Sequence, residues 1–168
     1  MTPEEIKEYL QPDKTKLDEE WEIQPGLFFE ATKEYAGWKS RSFELSEKLR
    51  QEKITFKTEL ERMKSELALD VRTNQDKYNL GNKITDKSIE AFVSQNDDIN
   101  DFIQKKMRVQ KVLSQKLSEA IKNEELWDGI KSALLQRRDA IKDLSDLWRQ
   151  EYFQITKKNK FKGKRKSG

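Results

Sequence analysis

The stretch from Ile99 to Ile155 decides the fold class, and it reads INDFIQKKMRVQKVLSQKLSEAIKNEELWDGIKSALLQRRDAIKDLSDLWRQEYFQI. It contains no proline, and apolar residues recur in it every seven positions, as expected for one face of a long amphipathic helix. The members of this series, with Lys106 as the one polar exception, are Ile99, Leu113, Ala120, Trp127, Leu134, Ile141 and Trp148. We predict a long helix over residues 98 to 155, capped by Asp97 or Asp98.

A second amphipathic segment covers residues 27 to 73, which contain no proline and one glycine, Gly37. Its apolar residues are separated by steps of three, four or seven, which is again the helical period. They are Phe28, Ala31, Tyr35, Trp38, Leu45, Leu49, Phe56, Leu60, Met63, Leu67 and Val71. We predict a second long helix over residues 27 to 73.

Shorter elements fill the rest of the sequence. The opening Thr2–Glu5 segment, TPEE, combines a capping threonine, a proline and two carboxylates, as at a helix start. Short helices are expected within residues 1 to 25, and Pro25–Gly26 is expected to break the chain. Thr85 is the predicted cap of a short helix over residues 85 to 94.

Two long amphipathic helices joined through a short one predict an all-α fold, a long antiparallel helical hairpin over residues 1 to 156. Residues 157 to 168 are predicted to be a disordered basic tail. A two-helix hairpin leaves much of its apolar stripe uncovered, so we expect the chain to form a homo-oligomer through these stripes.

The composition limits the possible functions. The 168 residues include no His and no Cys, which removes thiolate nucleophiles, histidine bases and Cys/His zinc sites. The carboxylates are spread along helix faces, and the acids from Asp97 to Asp101 lack the spacing of a calcium loop. We therefore predict a protein that binds rather than catalyses, with no catalytic residue, metal site or cofactor.

The same composition also bears on location. Charged residues make up 39% of the chain, and no stretch approaches the roughly 20 apolar residues of a membrane span. The first ten residues include three glutamates, which does not fit a signal peptide. We expect a cytoplasmic protein that does not bind a membrane.

The end of the chain is strongly basic. It carries Lys157, Lys158, Lys160, Lys162, Lys164, Arg165 and Lys166, with no acid among them. Removing these seven charges from the net charge of +3 leaves −4 on the rest of the chain. Such segments commonly neutralise nucleic-acid phosphates, so nucleic acid is the favoured partner. A solvated terminus that aids solubility and a contact with an acidic membrane surface are the alternatives.

Two further cationic clusters are candidate anion contacts. One consists of Arg137, Arg138 and Lys142, and the other of Lys57, Arg62, Lys64 and Arg72. Acidic residues are interleaved in both, and alternating charges on a helix usually form a solvated face. Aromatic residues at helical spacing favour core packing over base stacking, and this applies to Trp38, Phe56, Trp127 and Trp148.

Three short segments resemble phage recombination mediators of the UvsY-like family. RDAIKDLSDL at residues 138 to 147, preceded by LWDGI at 126 to 130, is similar to the C-terminal helix of that family. DKTKL at residues 13 to 17 and YAGW at 35 to 38 are similar to segments near its N-terminus. The order and rough spacing of the pieces agree with the family.

The resemblance implies a helical-hairpin protomer that assembles into a ring and binds single-stranded DNA. It also implies partnership with a recombinase and a single-strand-binding protein, because such mediators load a RecA-like recombinase onto covered strands. Arg138 and Lys142 lie in the matching C-terminal segment. The sequence departs from the family in its basic tail and in Glu59 and Glu61, which interrupt the first long helix's basic cluster. The alternative function is an oligomeric helical scaffold or adaptor in phage assembly.

Overall fold

A computed structural model describes residues 2 to 78 and 85 to 163, with no side-chain description for Gln75, Phe153 and residues 155 to 163. The regular structure in this part of the chain is entirely helical, which confirms the all-α class. The five helices are α1 (Pro3–Glu8), α2 (Leu17–Thr73), α3 (Gln75–Tyr78), α4 (Asp86–Ser94) and α5 (Asp97–Gly163).

Two predicted helix caps are confirmed. The Thr2 hydroxyl accepts a bond from the Glu5 amide at 3.2 Å, and the Glu5 carboxylate accepts one from the Thr2 amide at 2.6 Å. Thr85 caps α4 in the same reciprocal way with Ser88. Each cap satisfies amide groups that the first helical turn leaves without an intrahelical acceptor.

The predicted break at Pro25–Gly26 is wrong, because α2 begins at Leu17 and continues through the proline. A proline inside a helix removes one backbone hydrogen bond and costs about 3 kcal/mol. Pro25 is exposed, so water can bond the backbone carbonyl that the missing amide leaves without a donor. The flanking Gln24 and Leu27 are buried. The Gln24 amide also donates to the Leu134 carbonyl of α5 at 2.7 Å. Packing on both sides of Pro25 therefore holds the helix together.

The ends of α5 also differ from the prediction. The side chain of Asn96 accepts a bond from the Ile99 amide at 3.1 Å, so Asn96 is the cap in place of Asp97 or Asp98. At the other end the helix extends past residue 155 to Gly163. Residues 157 to 163, predicted as disordered tail, are therefore helical, and this segment contains no helix-breaking proline. Residues 164 to 168 lie outside the described part of the chain.

The chain divides into two compact units. Unit 1 comprises Met1–Lys39 and Ile121–Gly168, and unit 2 comprises Ser40–Ala120. The buried core of unit 1 is formed by Ile6, Leu27, Ala31, Trp127, Ile130 and Leu134, and Trp38 packs against it. The buried core of unit 2 is formed by Val71, Ile89, Val93 and Ile99.

Within each unit the segments of α2 and α5 run in opposite directions. In unit 1 the Trp21 indole donates to the Ser145 hydroxyl at 3.1 Å, and farther along α2 the Tyr35 ring lies under the Lys131 ammonium, which is 4.0 Å from its centroid.

In unit 2, Glu52 bonds Lys106 at 3.1 Å, while Phe56 stacks on Phe102 with ring centroids 5.9 Å apart. Residues of increasing number on α2 therefore contact residues of decreasing number on α5. The core placement of Trp127 is confirmed, and Phe56 is half-buried.

Candidate nucleic-acid interface

Near the end of α5 in unit 1, two aromatic rings face solvent. Trp148 is 65% exposed and Tyr152 is 56% exposed, and their rings stack with centroids 6.0 Å apart and planes 15° apart. The prediction that Trp148 belongs to the core is wrong. The seven-residue series that includes the buried Ile141 continues to Trp148, yet Trp148 lines an open cleft beside the start of α2 at Leu17.

A cleft of about 210 Å³ lies beside the exposed indole. It is lined by Lys14, Thr15, Leu17, Asp18, Ser145 and Trp148. The Ser145 hydroxyl holds this rim in place, because it accepts from the Trp21 indole and donates to the Ile141 carbonyl at 2.9 Å. Trp148 therefore lines the same cleft as the Lys14 cation.

The basic end of the chain follows this aromatic pair on the same helix. The backbone of Lys157, Lys158, Lys160 and Lys162 is helical. Lys164, Arg165 and Lys166 were also predicted to bind nucleic acid and lie outside the described residues. The last acid before the basic end is Glu151, so the negative charges of α5 stop where the lysines begin.

Arg138 and Lys142 are exposed and lie one turn apart on α5 of unit 1. Arg138 bonds the adjacent Asp139 at 2.9 Å and 3.1 Å, which partly neutralises it. It also lines a cleft of about 200 Å³, together with Trp21, Gln24, Pro25, Phe28 and Leu135. Lys142 forms no ion pair with any described residue, so its ammonium is available to an anion.

Arg137 is not an anion contact, because its side chain is buried. It donates to the Tyr9 carbonyl, to the Gln24 side chain and to the Glu20 carboxylate. Burial lowers the pKa of its guanidinium, which nevertheless remains charged at neutral pH. Arg137 thus joins α2 and α5 to the carboxyl end of α1.

The cluster of Lys57, Arg62 and Lys64 lies on exposed positions of α2 in unit 2. Arg62 approaches Glu66 at 3.8 Å, and both side chains are well exposed. The predicted site residues therefore fall into separate units, with this cluster in unit 2 and Arg138 and Lys142 in unit 1. No common site is formed within either unit.

Sequence reasoning missed a second basic region, on α5 of unit 2. From Phe102 to Ser118 the helix has five basic residues and no acid. Lys106 is half-buried between Glu52 and Glu59, at 3.1 Å and 3.3 Å, and the Glu52 hydrogen bond raises its pKa. The other four are exposed: Lys105, Arg108, Lys111 and Lys116. The absence of acids from this segment was a sequence signal that could have identified it.

The described residues contain neither a metal-binding cluster nor a helix that could span a membrane. No group of three or more acidic side chains in that part of the chain is arranged to hold a metal ion. None of its helices combines the length and the apolar character needed to cross a bilayer.

No protein-family model matches the chain, and comparison with curated proteins and with solved structures also gives no match. The resemblance to UvsY-like mediators therefore stays a prediction.

Proposed function

We propose that this chain is a non-enzymatic, single-stranded-DNA-binding protein of the recombination-mediator type. The observation that carries this proposal is the exposed Trp148–Tyr152 pair, which precedes the basic end of the same helix. Proteins that bind single strands combine aromatic rings, on which bases stack, with cations that follow the phosphates. Bases in a duplex are already stacked on each other, so an aromatic pair favours single strands.

The cations around this aromatic pair support the same proposal. Lys14 lines the cleft at Trp148, and Lys142 lies six residues before the indole on α5. Both are exposed. The lysines from residue 157 onward follow the rings in the sequence, so cations precede and follow the aromatic pair along the chain. A strand could therefore stack on Trp148 while its phosphates meet cations before and after it.

Replacing the exposed indole tests the proposal. We expect Trp148→Leu to weaken binding of a labelled single-stranded oligonucleotide roughly 5- to 150-fold in fluorescence anisotropy, since one stacked base contributes about 1–3 kcal/mol. Duplex binding should change little. The matched control is Phe29→Leu, which removes an exposed aromatic of unit 1 that is followed by an acid, Glu30.

Unchanged single-strand affinity in Trp148→Leu would contradict the stacking site. If the full chain binds neither single-stranded nor double-stranded DNA at about 200 mM salt, the DNA-binding proposal is overturned and the scaffold alternative is favoured.

We also propose the mediator activity itself, an antiparallel hairpin protomer and self-association. The mediator activity is supported by the resemblance of residues 13 to 17, 35 to 38 and 126 to 147 to UvsY-like proteins. The opposite directions of α2 and α5 within each unit support the hairpin. Exposed apolar residues support an oligomer, among them Phe43, Ile54, Leu69, Met107 and Val112.

Two measurements separate these proposals. Sedimentation velocity over a concentration series tests self-association, and a monomer at every concentration would contradict it. Mediator activity is tested by whether the chain speeds recombinase assembly on single strands covered by single-strand-binding protein. If it binds strands without speeding assembly, it is a strand-binding protein of another type.

A further inference from the structure

The exposed surface of α5 in unit 2 carries cations without compensating acids. Lys105, Arg108, Lys111 and Lys116 form this surface, which we call the α5 basic face. At about 100° per residue, Arg108 and Lys111 lie on the side of the helix opposite Phe102, Lys106 and Leu113, which are half-buried, and Lys105 and Lys116 lie on one flank between the two sides. From Lys105 to Lys116 the helix rises roughly 16 Å, so the cations form a stripe rather than a point.

The charges on this face are not neutralised within the unit. None of its four cations forms an ion pair with another described residue, and the nearest acids along the helix are Asp101 and Glu119. By comparison, the α2 segment of unit 2, residues 40 to 73, has eight basic and seven acidic residues. A run of one sign creates a sustained potential, whereas interleaved charges largely cancel within a Debye length of about 8 Å.

The α5 basic face also lacks aromatic rings on which bases could stack. No aromatic residue lies between Phe102 and Trp127 on α5, and Phe102 is stacked against Phe56 inside the unit. The exposed apolar residues near the cations are Met107, Val109 and Val112, which offer no flat ring for stacking. This face therefore suits contacts with phosphates and offers no base stacking.

We infer that the α5 basic face is a second nucleic-acid contact, which holds the phosphate backbone of single and double strands alike. This inference rests on the proposed DNA binding and adds a division of labour to it. The aromatic end of α5 in unit 1 selects single strands by stacking. The α5 basic face in unit 2 contributes affinity that does not depend on strandedness or sequence.

Two matched triple variants of the full chain test this inference. One is Lys105→Gln, Arg108→Gln, Lys111→Gln on the α5 basic face. The other is Lys57→Gln, Arg62→Gln, Lys64→Gln on α2 of the same unit. Both remove two lysines and one arginine from exposed positions, but only the α2 set lies among acids, Glu59, Glu61 and Glu66.

The measurement is the dependence of DNA affinity on salt, between about 50 and about 200 mM, for single- and double-stranded oligonucleotides. Each lost phosphate contact lowers the slope of log K against log salt by about 0.7 to 0.9. We expect the α5 triple to lower the slope by roughly 2 for both kinds of strand, and the α2 triple to lower it by less than roughly 1. Circular dichroism should show that both variants keep their helix content.

The outcomes separate this inference from the proposed function. If the full chain binds DNA and the α5 triple leaves both slopes unchanged, the α5 basic face is not a DNA contact, although the proposed function stands. If the triple instead changes the sedimentation of the free protein and not its DNA affinity, the face joins copies of the chain and the inference is overturned. If the triple lowers both slopes but Trp148→Leu has no effect, the α5 basic face is supported and single-strand selection fails. A full chain that binds no DNA overturns both.

Discussion

Arg137 in unit 1 and Lys106 in unit 2 are both cations of α5 that bond acceptors on α2, and they differ mainly in burial. The Arg137 side chain is 0% exposed and bonds Glu20 and Gln24, besides the Tyr9 carbonyl. The Lys106 side chain is 21% exposed and bonds Glu52 and Glu59.

The pKa values of the two cations shift in opposite directions: burial lowers that of Arg137, whereas the Glu52 hydrogen bond raises that of Lys106. The same type of contact is therefore dominated by desolvation in one unit and by the partner carboxylate in the other.

The difference in burial also determines which cations of α5 are accessible to a ligand. Arg137 and Arg138 are neighbours in the sequence, yet the first is enclosed by the fold and the second is exposed. Lys105 and Lys106 show the same contrast in unit 2. A helix turns by about 100° per residue, so adjacent cations face different surroundings. The inward member holds the unit together and the outward member can meet an anion.

Replacing Arg137 should have the largest effect. We expect Arg137→Met to destabilise unit 1 by about 3–5 kcal/mol, because it leaves the Glu20 carboxylate partly buried without its cation. All four tryptophans, Trp21, Trp38, Trp127 and Trp148, belong to unit 1, so their fluorescence in a urea titration reports on this unit. The control, Arg138→Met, removes an exposed cation and should change stability by no more than about 0.5 kcal/mol. Equal effects of the two variants would contradict the structural function of Arg137.

Replacing Lys106 should have a smaller effect that depends on salt. In Lys106→Met the carboxylates of Glu52 and Glu59 lose their shared cation, but both are partly exposed and water can solvate them. We expect a lower thermal midpoint by circular dichroism, and a difference from the parent that shrinks between about 0.1 and about 1 M salt as the Debye length falls. The Arg137→Met defect should persist in high salt, because buried pairs are screened much less. If Lys106→Met lost as much stability as Arg137→Met, and if that loss were equally insensitive to salt, the distinction between the two cations would be wrong.

Much of the fold followed from periodicity and caps. The seven-residue series correctly placed Trp127, Leu134 and Ile141 in the core, and the capping threonines Thr2 and Thr85 located the starts of α1 and α4. These features are local, so the sequence contains all the information needed to recognise them.

The errors arose where packing from a distant segment decides the result. Pro25 remains helical because the flanking Gln24 and Leu27 are buried, and Trp148 lines an open cleft beside the start of α2 although its series includes the buried Ile141. Arg137 is enclosed by α1 and α2, which are more than a hundred residues away in the sequence. The acid-free segment around the α5 basic face was visible in the sequence. Which of its five cations turns inward was not, because that depends on the carboxylates of Glu52 and Glu59.

The smallest expected effect concerns Asp70. Arg137 and Lys106 are cations bonded to acceptors, whereas Asp70 is an anion bonded to donors. Asp70 lies near the end of α2 in unit 2 and accepts hydrogen bonds from the Tyr78 hydroxyl, the Asn74 amide and the Lys77 ammonium. These bonds, led by that of Tyr78, lower the pKa of Asp70 to about 2. An ordinary aspartate has a pKa of about 3.9, so the charged form is favoured in the folded state.

Because the folded pKa lies below the unfolded one, the contribution of Asp70 to stability is complete above about pH 4 and is lost as the pH falls toward about 2. An NMR titration of the Asp70 carboxyl carbon should therefore have its inflection near pH 2. Tyr78→Phe removes the leading donor and should move that inflection toward the ordinary value. Asp70→Asn should lower the thermal midpoint at pH 6, and its difference from the parent should vanish at low pH. An inflection near pH 4 in the parent chain would mean that these three donors do not hold the carboxylate in solution. It would also mean that water competes successfully with the hydrogen bonds that Asp70 accepts in unit 2, in contrast to the buried hydrogen bonds of Arg137.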